Sequence, residues 1–193
     1  MKTPLLLVFS ILLLGAKSAH AAISGLTYTV QPLVGFELDE KNVPTPHTHL
    51  SLMYGARVTG GYRVLSGEVE GTRSTSREDF VLPTLSVEDT TDRVKLGVRS
   101  THSLTKNDLI SVMGRFGGEA SRTKHSETQN GATTTTTGPL YCRPYIGAGV
   151  STSLFHGFAL NAEGVAVIDP KNLKNNSYQA TVSLQFSLYE ARR

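Results

Sequence analysis

Nine charged side chains hold most of the chemistry this sequence offers: Glu37, Arg57, Glu68, Glu70, Lys95, Arg99, Arg115, Glu119 and Glu163. Each lies in a segment where polar and apolar residues alternate, and each falls on the polar parity. Successive side chains of a strand point to opposite faces, so these acids and bases share one face of a sheet. Counted from the strand ends, Glu68, Arg99, Arg115 and Glu163 fall near mid-height, with Glu70, Lys95 and Glu119 somewhat higher. If that face is enclosed, the charges must pair, because removing one partner of a buried pair costs about 3–5 kcal/mol. The expected chemistry is a structural polar network filling an interior, with a narrow ion path as the competing use.

Catalytic and metal-binding patterns are sparse. His49-Leu50-Ser51 puts an imidazole and a hydroxyl on one strand face, the pairing of base and nucleophile that acyl chemistry uses. By parity the pair shares the face of Arg57. His47, His102, His125 and His156 are scattered through loops and strand ends without metal-ligand spacing. The single cysteine, Cys142, cannot form an internal disulfide and reads as a small apolar strand residue. There is no nucleophile elbow, phosphate loop or catalytic carboxylate pair. No catalytic, cofactor-binding or metal site is expected, and the chain is not expected to be an enzyme.

Eight segments must position these groups: 26–38, 48–58, 62–73, 92–104, 109–120, 140–152, 158–168 and 177–189. The last has the longest alternation, with Tyr178, Ala180, Val182, Leu184, Phe186 and Leu188 on one face and Gln179, Thr181, Ser183, Gln185 and Ser187 on the other. Longer connections follow the first, third, fifth and seventh segments, at Asp39–His47, Ser74–Thr91, Ser121–Pro139 and Asp169–Asn176. The threonine run Thr133–Thr137 reads as flexible polar loop. The other connections are short, at Thr59-Gly60-Gly61, Thr105–Asp108 and Ser153–Gly157. No helix-period segment interrupts them.

Met1–Ala21 stands apart: Lys2, the apolar run Leu5–Leu14 and Ala19-His20-Ala21 make a secretory signal peptide, leaving residues 22–193 as one domain. The leader takes Lys2 and Lys17, so 17 of the 19 basic residues remain against 16 acidic ones. That balance carries no electrostatic footprint for nucleic acid. The apolar run is too short to span a membrane as a helix, which needs about 20 residues.

Alternation leaves open which face is outside. The apolar parity carries no charge over the strand centres, whereas the polar parity interleaves the nine charges with Gly55, Gly97, Gly117, Gly147 and Gly149. Small residues among long charged ones suit the crowded interior of an eight-stranded barrel, with the apolar face toward lipid. Tyr28, Phe158 and Phe186 would form an inner aromatic girdle, and Phe36, Phe116 and Tyr178 an outer one. The competing arrangement is a secreted soluble barrel enclosing an apolar ligand.

The strand grammar, the segment Pro144-Tyr145-Ile146-Gly147-Ala148-Gly149-Val150 and the terminal Leu184-Gln185-Phe186-Ser187-Leu188-Tyr189 are similar to small eight-stranded outer-membrane barrels of the OmpA, OmpX and Ail type. Such proteins usually end on an aromatic residue, whereas this chain continues with Glu190-Ala191-Arg192-Arg193. The resemblance implies an all-β, eight-stranded antiparallel transmembrane up-and-down barrel in a Gram-negative outer membrane. Its implied partners are outer-membrane lipid and lipopolysaccharide, periplasmic chaperones and the barrel-assembly machinery, and a host or environmental ligand at the long loops. Arg73, Arg77, Arg122 and Lys124 at the loop bases could meet lipopolysaccharide head groups. The expected role is structural or surface-interactive. A narrow channel and a lipid A-modifying enzyme are the alternatives; lipid A deacylases of this kind use a His-x-Ser arrangement late in the chain, unlike His49 and Ser51.

Overall fold

The computed structural model describes residues 26–41, 47–80, 85–155, 157–170 and 176–190. The segment expected to be a signal peptide and the tail after Glu190 lie outside the described residues, as do parts of the loops expected at Asp39–His47 and Asp169–Asn176. The strands are β1 (Thr27–Lys41), β2 (His47–Tyr62), β3 (Leu65–Phe80), β4 (Leu85–Ser103), β5 (Ile110–Gln129), β6 (Ala132–Thr137), β7 (Tyr141–Phe155), β8 (Phe158–Val167) and β9 (Ser177–Glu190). All pairings are antiparallel between neighbours, β9 pairs with β1, and β4 pairs with β5. Eight strands therefore close into an all-β up-and-down barrel. The short β6 adds to the outer half of β5, while β7 pairs with its inner half.

The distribution of side chains is the reverse of a water-soluble protein's. Val34, Phe36, Leu50, Leu52, Val69, Leu96, Phe116, Val150, Tyr178 and Val182 point outward and are exposed, while Glu37, Arg57, Glu70, Lys95, Arg115 and Glu119 are buried inside. A wall of this kind is stable only against lipid. Phe155, Phe158 and Phe186 stack at the short-turn end, with centroids 4.3 and 5.1 Å apart.

Three expectations about connections need correction. Thr59-Gly60-Gly61 is ladder, not turn: Thr59 pairs with Glu68, Gly60 with Gly67 and Gly61 with Ser66, and the chain reverses at Arg63-Val64. Gly60 is there because the Tyr28 ring covers it, 2.9 Å from where a Cβ would stand. Ser74–Thr91, read as an irregular polar connection with a hairpin extension around Phe80–Val87, is paired over its whole described length, β3 and β4 running from Ser74–Thr91 out to Phe80–Leu85. Most of Ser121–Pro139 is strand as well: Ser121–Gln129 continues β5 and the threonine run lies in β6, turned back by Asn130 and Gly131 at φ 51° and 82°. Two consecutive positive φ values make the hairpin turn that Asn-Gly favours.

The short turns are fastened by charge. Arg63 lies 2.6 Å from Asp108, whose carboxylate also accepts from Ser103. The Arg63 hydrogen bond, then the Ser103 one, hold the Asp108 carboxyl below its ordinary value of 3.8. A depressed carboxyl stabilises the fold above that ordinary value and loses its contribution as pH falls through the lowered one. Asp108→Asn tolerates the local φ of 55°. It is expected to lower stability by well under about 1 kcal/mol at neutral pH, because solvent screens the pair. Its deficit should vanish in acid-unfolding measurements below the carboxylate range.

Candidate functional site

Register places the charged residues. One row around the wall pairs Gln31 with Arg57, Arg57 with Glu70, Glu70 with Lys95, Lys95 with Glu119 and Glu119 with Arg143. Base and acid thus alternate across β2, β3, β4, β5 and β7, so each charge has opposite charges as cross-strand neighbours. The next row toward the short turns runs Glu68, Gly97, Gly117, Tyr145. The two glycines clear the wall so that Tyr145 lies back across it, and its hydroxyl donates to Glu68 Oε1 at 2.6 Å. Below that row, Arg99 and Arg115 are partners in register, like charges side by side.

Arg115 resolves the conflict by turning toward carboxylates. Its Nε donates to Glu68 Oε1 at 2.8 Å, Nη1 to Glu163 Oε2 at 2.9 Å and Nη2 to Glu70 Oε2 at 2.8 Å. The guanidinium also sits 5.3 Å from the Tyr145 ring centroid. Arg57 donates to Glu70 Oε2 at 2.9 Å, to Glu163 Oε1 at 2.5 Å and to Gln31 Oε1 at 3.0 Å. Room for Glu163 comes from Gly149, whose absent Cβ would stand 2.7 Å from its Cγ.

A second tier lies toward the long arms. Lys95 Nζ donates to Glu70 Oε1 and to Gln179 Oε1, both at 2.6 Å, and lies 3.7 Å from Glu119 Oε2. Gln179 Nε2 donates in turn to Glu37 Oε1 and Glu119 Oε2, each at 3.2 Å. Arg93 pairs with Glu37 and donates to Ser74 Oγ at 2.7 Å. Arg143 Nη2 reaches Glu119 Oε1 at 3.4 Å. Most polar groups of this network turned inward meet another, Glu68 Oε2 and Arg93 Nε being among those left without a hydrogen bond, and together the side chains fill the centre of the lumen.

Of the nine residues expected from sequence, eight join this network through ion pairs. The exception is Arg99, which the mid-height count places beside Glu68 and Glu163. Among the described residues it forms no ion pair, and its one side-chain hydrogen bond goes to Gln31 Oε1 at 3.2 Å. The network also holds Gln31, Arg93, Tyr145 and Gln179, which charge counting passed over. His49 and Ser51 face inward: His49 Nδ1 lies 2.9 Å from Glu78 Oε1, and Ser51 is buried. Neither is presented to lipid. Among the described residues no group of three His, Cys, Asp or Glu side chains could hold a metal.

No protein-family model matches the chain, and no curated protein matches it in sequence. Solved structures do match in fold. Ail, the attachment invasion locus protein of Yersinia pestis, in complex with the heparin analogue sucrose octasulfate, superposes with a TM-score of 0.57 at 11% identity, covering 86% of this chain and 99% of that one. Neisserial surface protein A superposes with a TM-score of 0.55 at 14% identity, covering 84% and 98%. The N-terminal β-barrel domain of Pseudomonas aeruginosa OprF gives 0.52 at 9% identity, covering 84% and 97%. With its closed wall, apolar exterior and charged interior, this chain has the fold of the small eight-stranded outer-membrane β-barrels.

Proposed function

We propose that this protein is an integral component of a Gram-negative outer membrane that acts through the sheet it holds above the lipid. In this reading the leader Met1–Ala21 exports it, periplasmic chaperones escort it and the barrel-assembly machinery inserts it. The observation that carries the reading is a change of exterior along three neighbouring strands. Arg73, Asp92 and Arg122 are adjacent in register, and Arg73 pairs bidentately with Asp92. On one side of them the outward residues are Val69, Val94 and Phe116; on the other they are Thr75, Arg77, Thr90, Lys124 and Ser126. β3, β4 and β5 span 16, 19 and 20 residues, where a tilted membrane strand needs about 9–11. The surplus, with β6, is a polar platform roughly 20 Å tall at about 3.3 Å per residue.

Arg122 and Lys124 stand on the outward face of β5 where the apolar wall ends, at the level of anionic lipopolysaccharide head groups. The solved Ail complex contains a heparin analogue, and a sulfated polymer is therefore the first probe for this platform. The filled lumen speaks against a channel, and the inward placement of His49 and Ser51 against an enzyme acting on lipid A.

The test has two steps. Fractionation and gel mobility with and without boiling are expected to give an outer-membrane protein with a heat-shifted band; a soluble periplasmic protein without a shift would overturn the membrane assignment. Trimming the β5–β6 hairpin beyond the Lys124–Thr137 pair, together with Arg122→Gln and Lys124→Gln, is then expected to keep the shift. It should lower binding of displaying cells to immobilised heparin or lipopolysaccharide at least about tenfold, a loss of about 1.4 kcal/mol. Binding that survives these changes would remove the platform from the function.

A further inference from the structure

Between the charged network and the short turns the barrel is not filled. A cavity of about 540 Å³ lies there, and among the described residues it reaches the turns at Arg63, Asp108 and Gly157. At about 30 Å³ per molecule it holds on the order of eighteen waters. Its lining is mostly hydroxyl, including Thr29, Thr59, Ser66, Thr101, Ser111 and Ser151. Nothing in the fold requires so many hydroxyls without a filling side chain.

Charge is distributed unevenly over this cavity. In the network above it five bases (Arg57, Arg93, Lys95, Arg115, Arg143) pair with five acids (Glu37, Glu68, Glu70, Glu119, Glu163). At the cavity mouth Arg63 pairs with Asp108. Arg99 is left over. It lines the cavity and is 5% exposed, its neighbours Glu68 and Glu163 act on it only at longer range, and it donates only to a Gln31 oxygen that Arg57 also uses. The rest of its five donors have no protein acceptor among the described residues. Its free donors open onto the cavity, and a guanidinium is shaped to take two oxygens of one oxyanion.

We infer that this vestibule is a binding site for a small tetrahedral oxyanion, such as phosphate or sulfate, anchored by Arg99 and surrounded by hydroxyl donors. Thr101, two residues along β4 in the cavity lining, is in place to donate to the oxygens that the guanidinium leaves free, while the hydroxyl of Ser66, the cross-strand partner of Arg99, donates to the Arg99 carbonyl at 3.4 Å. The anion supplies the countercharge that the network lacks. It arrives from the aqueous compartment at the short-turn end, because the hydrogen-bonded wall admits nothing from the side.

The test uses the whole folded protein in a detergent without phosphate or sulfate groups. Inorganic phosphate and sulfate are titrated separately at constant ionic strength while the Arg99 Nε–H and the backbone amides of Ser66 and Thr101 are followed by NMR. Saturable shifts confined to the cavity lining are expected. Arg99→Gln should weaken binding at least about tenfold, Arg99→Lys less, and exterior Arg77→Gln not at all. Ser151→Phe narrows the cavity without touching a charge and should weaken binding in a folded barrel, so the proposal stays testable if Arg99→Gln misfolds. Shifts that do not saturate, or that persist unchanged in Arg99→Gln or Ser151→Phe, would overturn it. Saturable shifts with phosphate-headgroup lipid but not with either inorganic anion would also overturn the assignment to a free anion.

Discussion

Arg115→Met is expected to destabilise the barrel by about 3–5 kcal/mol, the cost of stripping one partner from a buried ionic cluster. Arg115 is the one base that touches Glu68, Glu70 and Glu163 together. Without it, Glu70 keeps Lys95 and Arg57, and Glu163 keeps Arg57, but Glu68 keeps only the Tyr145 hydroxyl. Oε2 of Glu68 already lacks a hydrogen-bond partner, so that carboxylate has nothing in reserve. The double variant Arg115→Met with Glu68→Gln is therefore expected to recover a large part of the loss, since neutralising the stranded acid removes the penalty. The chain has no tryptophan, so the readout is circular dichroism and boiled-gel mobility over a urea series in lipid vesicles. Arg77→Met, an exposed residue paired with Asp79 on its own strand, should leave the midpoint unchanged. A wild-type midpoint for Arg115→Met would mean that hydroxyls and water fill the lumen as well as the ion network does.

Parity carried most of the fold. Where one face meets lipid and the other the lumen, as from Tyr178 to Leu188, hydropathy contrast makes the strand visible. Past Arg73, Asp92 and Arg122 both faces of the sheet are wet, contrast disappears, and Ser74-Thr75-Ser76-Arg77 looks like loop although it is paired strand. Pattern alone could not have recovered it, but one local sign was present: Asn130-Gly131 between two polar runs marks a hairpin turn. Gly60-Gly61 misled for the opposite reason: Gly60 is placed for a covering Tyr28, and Gly61, at φ 145°, for the close approach of Leu65 and Ser66. In the lumen, parity located eight members of the network, whereas their partners depend on register, which no single strand reveals. The alternation Arg57, Glu70, Lys95, Glu119, Arg143 exists only across five strands. Arg93 went uncounted at the very start of the segment 92–104, beside Asp92, and Gln31, Tyr145 and Gln179 through their lack of charge. Arg99 could not be told from Arg115 until the wall was closed.

Gly97→Val is expected to prevent the barrel from reaching its heat-shifted form. A Cβ at this position would stand 2.1 Å from the Tyr145 hydroxyl and 2.4 Å from the Phe116 carbonyl oxygen. Overpacking a core usually costs about 1–3 kcal/mol when side chains can move aside. Here one obstacle is backbone in the adjacent strand, and the other is a ring tied to Glu68 and lying against Arg115. Displacing Tyr145 takes the hydroxyl from Glu68, so a change in the wall spreads into the ionic cluster. The loss should reach about 3 kcal/mol, since it combines overpacking with the removal of the Tyr145 hydrogen bond from Glu68, which then keeps only Arg115 among the described residues. Gly114→Val is the matching control: on β5, facing outward with nothing within 4 Å of its Cβ, it should fold normally. Adding Tyr145→Ala to Gly97→Val separates the two obstacles. Partial recovery is expected, because the Phe116 oxygen stays where it is; full recovery would assign the whole requirement for glycine to the tyrosine that crosses it.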